Sequence, residues 1–266
     1  MLVRSPPLPW RRTQRSDVII QQGFVMLGKT VPEQVSDGRT FVCSAGYQPD
    51  LGLVRIYPLS MHGAPRDWDI CDVRLQRNNK DSRWESWQLA GDRGIGHHDT
   101  INMQAFTITG CVPKGERHSV IPDKYYVDSI AEANESRLSL ALLRPTAPEV
   151  IWTSPNGTQV DCDQLALMSA AEAGSKAKWD QIPRLHFRGS NGKSDHTLQI
   201  RDWGMFELMR KYDIAYAAKD TAKALHLRHD SSLLIGNINA HRNAWIVIKV
   251  LNIQSAQMCL PMDVAS

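Results

Sequence analysis

The chain has 266 residues, 42% of them hydrophobic and 22% charged, with a net charge of +3 and a pI near 8.6. That is the balance of a globular chain long enough for one large domain or two small ones, and it excludes a fibrous or wholly disordered protein. The mild excess of positive charge permits an anionic partner without requiring one.

The five cysteines (Cys43, Cys71, Cys111, Cys162 and Cys259) are widely spaced and form no C-x-x-C pair. A disulfide framework or a cysteine-rich zinc site is therefore not expected, and a reducing compartment fits best. No apolar run reaches the roughly 20 residues of a membrane helix, and MLVRSPPLPWRR lacks the apolar stretch of a secretory signal. The expected location is cytoplasmic, with no membrane partner and no cofactor or metal.

In chain order, residues 1–16 read as a flexible, basic, proline-rich arm, with Arg4, Arg11, Arg12 and Arg15 and no carboxylate. DVIIQQGFVMLGKT is the first expected strand. TFVCSAGY and LGLVRIYPL are β-branched and aromatic runs joined by the turn signal QPD, so they predict a hairpin. Alternation puts Leu53, Arg55 and Tyr57 on one face and Val54, Ile56 and Pro58 on the other. WDICDVRLQR predicts a third strand with a bulge near Asp72. NMQAFTITGCV predicts another, so the first half reads as a mostly antiparallel, barrel-like β unit.

Ser129 with Glu132 has the spacing of a helix capping box. RLSLALLRP and EVIWTSPNGTQV return to extended patterns, the second ending in a P-N-G turn. DQLALMSAAEAGSKAKW predicts a helix. IPRLHFR and HTLQIRD predict a strand pair, and DWGMFELMRKY a helix capped by Asp202. KDTAKALHLR predicts a short helix. SLLIGNI and AWIVIKVLNI are strand candidates, the latter central. The expected class is α+β: a β-rich domain over 17–150, then an α+β domain over 151–266, packed separately or as one unit.

Phosphate loops of the GxxxxGK[ST] and GxGxxG kinds are absent, as are HExxH, GxSxG and zinc-deaminase patterns. His97, His98 and Asp99 are adjacent, and adjacent strand residues point apart, so a polar loop explains them better than a metal site. Cys43 and Cys71 read as small buried residues rather than nucleophiles. His186 and Arg188 share a strand face, with His196 and Asp202 on the next element. If the strands pair, this set has the makings of a hydrolase or nuclease site: an Asp orienting a His base, with Arg binding an anion. Asp202 is equally explained as a helix cap. GNINAHRNAW concentrates Asn237, Asn239, His241, Arg242 and Asn243 in one connection between two strands.

NNKDSRWESWQ, residues 78–88, alternates Asp81, Arg83 and Glu85 with Ser82, Trp84 and Ser86. On a strand the three charges share a face, and both carboxylates then clamp Arg83 as an ion-pair ladder. Trp beside or near Arg recurs at Trp10–Arg11, Arg83–Trp84 and Arg201–Asp202–Trp203, a pairing suited to base stacking with phosphate contact, although Trp203 reads first as core. From Lys176 to Lys249 there are 13 Lys/Arg against 7 Asp/Glu.

TFVCSAGY, GLVRIYPL and KDSRWESW, followed by RLSLALLRP, IPRLHFR, HTLQIRDW and LIGN…AWIVI, resemble an uncharacterised bacterial family with a C-[ST]-A-G … R-[IL]-Y-P … D-x-R-x-E-S pattern. Ser44 stands where Thr is the more usual of the two, and Gly204 follows Asp202–Trp203 where an acidic residue is more usual. The resemblance implies that Cys43, Arg55, Tyr57, Asp81, Arg83, Glu85 and Asp202 belong to recurrent segments of one architecture, and it transfers no catalytic role.

Three functions follow as expectations. The first is nucleic-acid binding through Arg11, Arg12, Arg55, Arg83, Trp84, Arg188 and Arg242, within a larger assembly. The second is a metal-dependent hydrolase or nuclease using His186, His196 and Asp202, or Asp81 and Glu85. The third is a non-catalytic subunit with its tryptophans against protein partners.

Overall fold

The computed structural model describes residues 18–34, 40–60, 64–91, 105–153, 159–160, 182–190, 192, 194–212, 216, 219 and 231–252. Strands dominate, and they form two sheets. The first contains β1 (Ile19–Lys29), β2 (Glu33–Gln34), β3 (Thr40–Gln48), β4 (Gly52–Leu59), β5 (Asp69–Arg77), β6 (Ser86–Leu89) and β7 (Phe106–Cys111). Its order runs β1-β3-β4-β6-β5, and β5 pairs back to β1, so five strands close a barrel. Of the pairings around the barrel, β4–β6 is parallel and the rest are antiparallel. Five strands in this order, with the third and fifth parallel, have the Greek-key topology of an OB-fold.

Closure depends on β1 bending to serve two neighbours. Its first half pairs with β5 and its second with β3, and the register breaks between Gln21 and Phe24. Gly23 sits in that break at φ 69°, a conformation glycine adopts without steric cost. The expected bulge near Asp72 is present as a register shift between Ile70 and Cys71 against β7.

The barrel interior is apolar: Phe24, Met26, Val54, Ile56, Cys71, Val73, Leu75 and Trp87 are all buried in it. The outward residues of the same strands split in two. Along the first half of β1 they are exposed or half-exposed, while Val25 and Leu27 are buried. They pack with Ala45, Tyr47 and Leu53 against Leu140, Leu142, Leu234, Ile248 and Leu251 of the second half. This explains why GFVML is continuously apolar rather than alternating: the strand is covered on both faces.

The second sheet contains β8 (Tyr126–Val127), β9 (Leu140–Leu143), β10 (Thr146–Thr153), β11 (Gln159–Val160), β12 (Ile182–Arg188), β13 (Asp195–Ile200), β14 (Ser231–Ile238) and β15 (His241–Asn252). Its order is β11-β10-β12-β13-β15-β14-β9-β8. One face carries a core of Ala141, Leu143, Trp152, Leu185, Phe187, Val247 and neighbours. The opposite face of β9, β14 and β15 meets the barrel. The two sheets divide between Cys111 and Tyr126, whereas composition divides the chain at 150/151, inside β10.

Among the described residues, the helices α1 (Arg117–Val120), α2 (Ile130–Glu135) and α3 (Trp203–Lys211) punctuate the strands. Ser129 Oγ accepts from Glu132 N, and Glu132 Oε2 from Asp128 N, so the expected cap is present. Asp202 caps α3 by accepting from Gly204 N at 2.6 Å. The architecture is α+β, a closed barrel followed by a mixed second half. The basic arm, the helix expected over residues 163–179 and, after Lys219, the one over KDTAKALHLR lie outside the described residues, as do His97, His98 and Asp99. Among the described residues no helix is long and apolar enough to cross a membrane.

Candidate functional site

Residues 78–85 join β5 to β6 as an irregular loop, not the strand that their alternation predicts. Short polar side chains explain the difference, because they offer the backbone local partners. Asn78 Oδ1 accepts from Lys80 N, and Asp81 Oδ1 accepts from Arg83 N. Asn78 Nδ2 also donates to Tyr57 O, which pins the loop to β4.

The loop separates the two expected clamps of Arg83. Asp81 does hold it, with Nη2 to Oδ2 at 2.5 Å and Nε to both oxygens at 2.9 Å, while Ser86 Oγ donates to Oδ2 at 2.8 Å. Burial alone would raise the Asp81 pKa. The bonds from Arg83 and Ser86 outweigh it and hold the carboxyl below its usual range. Arg83 Nη1 then reaches Asn237 O of β14 at 2.7 Å.

Glu85 takes no part in that clamp, which corrects the symmetric ladder read from the sequence. It turns to the second half, where Ser139 donates to it from N at 2.8 Å and from Oγ at 2.6 Å. Only 1% of Glu85 is exposed, and burial pushes its pKa up, partly offset by Ser139 and Arg55. Of the two tryptophans beside this loop, Trp87 fills the barrel and Trp84 is half-buried.

Arg55 of β4 lies beside this pair. Its Nη2 donates to Ser139 O at 2.7 Å and its Nη1 to Cys43 Sγ at 3.2 Å. The residue is 3% exposed, and its Nε is buried without a hydrogen-bond partner among the described residues. Gly236 of β14 makes the approach possible, because a Cβ there would stand 2.8 Å from Nη2.

Asp202 organises a second polar cluster. It accepts from Gly204 N, from Lys249 Nζ at 2.8 Å and from Val250 N at 3.1 Å. Lys249 also meets Asp67 at 2.9 Å, and Lys29 lies 3.9 Å from the same carboxylate. Burial opposes the Lys249 charge, but Asp202 and Asp67 outweigh it and hold its pKa above the ordinary value. Lys29 has its pKa lowered, by burial first, with Asp67 opposing that and Lys249 adding to it. Thr30 bridges to Asp202, and Val31 N donates to Arg201 O, so this cluster stitches the end of β1 to the second half.

Between the two clusters opens a cleft of about 500 Å³. Arg55, Lys80, Asp81, Arg83 and Arg201 line it, with Tyr57 and Ile238 as larger apolar surfaces and Thr30, Cys43 and Asn237 among its polar walls. Cys43, expected to be buried, is only half so and faces this space. The cleft therefore joins Arg55, Asp81 and Arg83, while Glu85 sits behind Arg55 and Asp202 behind Thr30. Arg242 Nη2 donates to Ser82 Oγ at 2.8 Å beside the same loop.

The other expected set does not converge. β12 and β13 pair as a hairpin, with His186 opposite Thr197 and Phe187 opposite His196. The two histidines thus project to opposite faces: His186 bonds Thr197 Oγ1, while His196 packs on Phe187 with its Nε2 buried. Burial lowers the His196 pKa, with Asp195 opposing. Arg188 is exposed and pairs with Asp195. Among the described residues no group of three or more His, Cys, Asp or Glu is arranged to hold a metal ion. Arg11 and Arg12 lie outside the described residues.

Sequence reasoning missed Lys80, and it noted Arg201 only as a neighbour of Trp203, not as a site residue. Each stands next to a singled-out aspartate, in NNKD and IRDW, and a neighbour of opposite charge was the available signal.

A family model described as a domain of unknown function (DUF8758) matches residues 21–106. The match spans nearly the whole closed barrel and the loop 78–85, and stops short of the second sheet. No curated protein matches the chain.

Proposed function

We propose that this protein binds nucleic acid through the sugar-phosphate backbone, in the cleft between the barrel and the second sheet. One observation carries the reading: among the described residues, four cationic side chains, Arg55, Lys80, Arg83 and Arg201, line one cleft with a single carboxylate, Asp81. Arg83 is neutralised by that carboxylate, and Glu85 lies close behind Arg55. Lys80 adds positive charge that the lining carboxylate does not balance. Cationic side chains lining a concave space concentrate anions.

The topology supports the same reading. OB-type barrels bind oligonucleotides on the face of their second and third strands, between the loops that follow strands one and four. Those strands here are β3 and β4, and the loop after strand four is 78–85. Cys43, Arg55, Tyr57, Lys80 and Arg83 belong to these elements. Tyr57 and Ile238 offer surface for a base, so contacts to backbone and ring would carry affinity with little sequence reading.

The test is fluorescence anisotropy of labelled single-stranded DNA and RNA over a range of salt. Affinity should fall as salt rises, with a log–log slope of about −0.7 for each phosphate neutralised. Lys80→Glu should weaken binding about tenfold or more. Absence of binding at low salt to either polymer overturns the proposal.

A further inference from the structure

We infer that the cleft receives the phosphorylated end of a strand, or a free nucleotide, and not the middle of a continuous strand. This rests on the nucleic-acid reading and narrows it.

The first support is the blocked face. On an open barrel a strand runs along the outer surface of β3 and β4. Here Ala45, Tyr47 and Leu53 on that surface are buried beneath Leu140, Leu142, Leu234 and Ile248. Among the described residues of β3 and β4, only Cys43, Arg55 and Tyr57 line the cleft.

The second support is the way the flanks are tied. On one side Arg83 bonds Asn237 O, and Arg242 bonds Ser82, so the loop 78–85 is fastened to the β14–β15 hairpin. On the other side Val31 N bonds Arg201 O, and Thr30 bridges to Asp202. A strand entering at the mouth meets packed apolar side chains ahead and hydrogen-bonded walls to left and right. About 500 Å³ is room for a ligand of nucleotide size.

The third support is the wall itself. Arg55 is 97% buried, lines the cleft, and keeps one buried donor, Nε, without a partner among the described residues. A buried donor of this kind calls for an acceptor. A terminal phosphate projects from its sugar on one side and brings three non-bridging oxygens. An internal phosphodiester brings two, with sugars on both flanks that the walls obstruct.

The test is competition against a labelled linear oligonucleotide on the full chain. The competitors are a 12-mer with a 5′-phosphate, the same 12-mer with a 3′-phosphate, the unphosphorylated 12-mer, a covalently closed circle of the same sequence, and a nucleoside monophosphate. The better phosphorylated linear form should compete at least fivefold more strongly than the circle and the unphosphorylated form, and the monophosphate should displace the label. A circle within fivefold of the linear strand overturns the inference and leaves nucleic-acid binding standing. An unphosphorylated strand within fivefold overturns the phosphate assignment. If the labelled strand does not bind at all, the nucleic-acid reading falls with it. Lys80→Gln should weaken linear and circular forms in equal proportion, whereas Arg55→Lys should reduce the preference for the linear form.

Discussion

Two polar clusters join the barrel to the second sheet, and they do so differently. Around Asp202 the charges close on themselves: two carboxylates, Asp67 and Asp202, face two ammonium groups, Lys29 and Lys249. Around Arg83 the accounts are uneven. Asp81 neutralises Arg83, but Glu85 spends its oxygens on Ser139, and Arg55 leans on a carbonyl and a sulfur. A closed cluster has no reason to seek a ligand. Arg55, by contrast, is held by neutral acceptors and is fixed in place beside open space. The same chemistry thus yields a clasp at one end of the seam and a receptive surface at the other.

If the Asp202 cluster is a clasp, cutting it should give the largest loss. Asp202→Ala removes a helix cap, an ion-pair partner and the acceptor of Val250 N together. Breaking a buried pair costs about 3–5 kcal/mol, because the remaining partner is left uncompensated. Urea unfolding should report a loss in that range. A loss below about 1 kcal/mol would remove the distinction between the clusters. Arg83→Ala comes next, at about 3 kcal/mol on the same grounds. Ser86 still donates to Asp81, which moderates the cost.

How much of this was legible in advance depends on the range of the interaction. The barrel strands were readable because apolar alternation and turn residues act locally, and the Ser129 and Asp202 caps because capping spans three residues. The ladder over Asp81, Arg83 and Glu85 failed for a local reason that alternation hides: Asn78 and Asp81 bond nearby backbone and bend the chain out of strand geometry. The cleft failed for a distant reason. Arg83 and Asn237 are 154 positions apart, and no local pattern states that they meet. The strand pair expected around His186 and His196 forms, but the two histidines fall one residue apart in register, which in a strand puts them on opposite faces.

Gly236→Ala probes how closely the halves approach at Arg55. The new Cβ would stand 2.7 Å from Ile248 Cδ1 and 2.8 Å from Arg55 Nη2. Overpacking of this kind costs about 1–3 kcal/mol. Nucleic-acid affinity should fall with it, because the guanidinium must shift.

The two carboxylates of loop 78–85 differ in sign with pH. Asp81 has a depressed pKa, so its contribution is present above the unfolded value near 3.8 and is lost as pH falls through the folded value. Glu85 has a raised pKa, so its contribution is present below the unfolded value near 4.5 and is lost as pH rises through the folded value. Each proton alters the slope of stability by at most about 1.4 kcal/mol per pH unit. In urea midpoints taken from pH 3 to 8, Asp81→Asn should flatten the acid limb and Glu85→Gln the limb above pH 4.5. The same slope in both variants would mean that the two groups are not electrostatically distinct.

The smallest expected change in stability is the most informative for function. Lys80 is exposed, and among the described residues it has no ion-pair partner. Lys80→Glu should therefore shift stability by no more than about 0.5 kcal/mol. The same substitution reverses a charge on the cleft wall, where a bound phosphate would feel it directly. Folding and binding should thus separate: an unchanged urea midpoint, with affinity lower by about tenfold and a shallower salt dependence. If affinity holds while the fold is intact, the uneven charge around Arg83 does not recruit the ligand, and both ends of the seam are clasps.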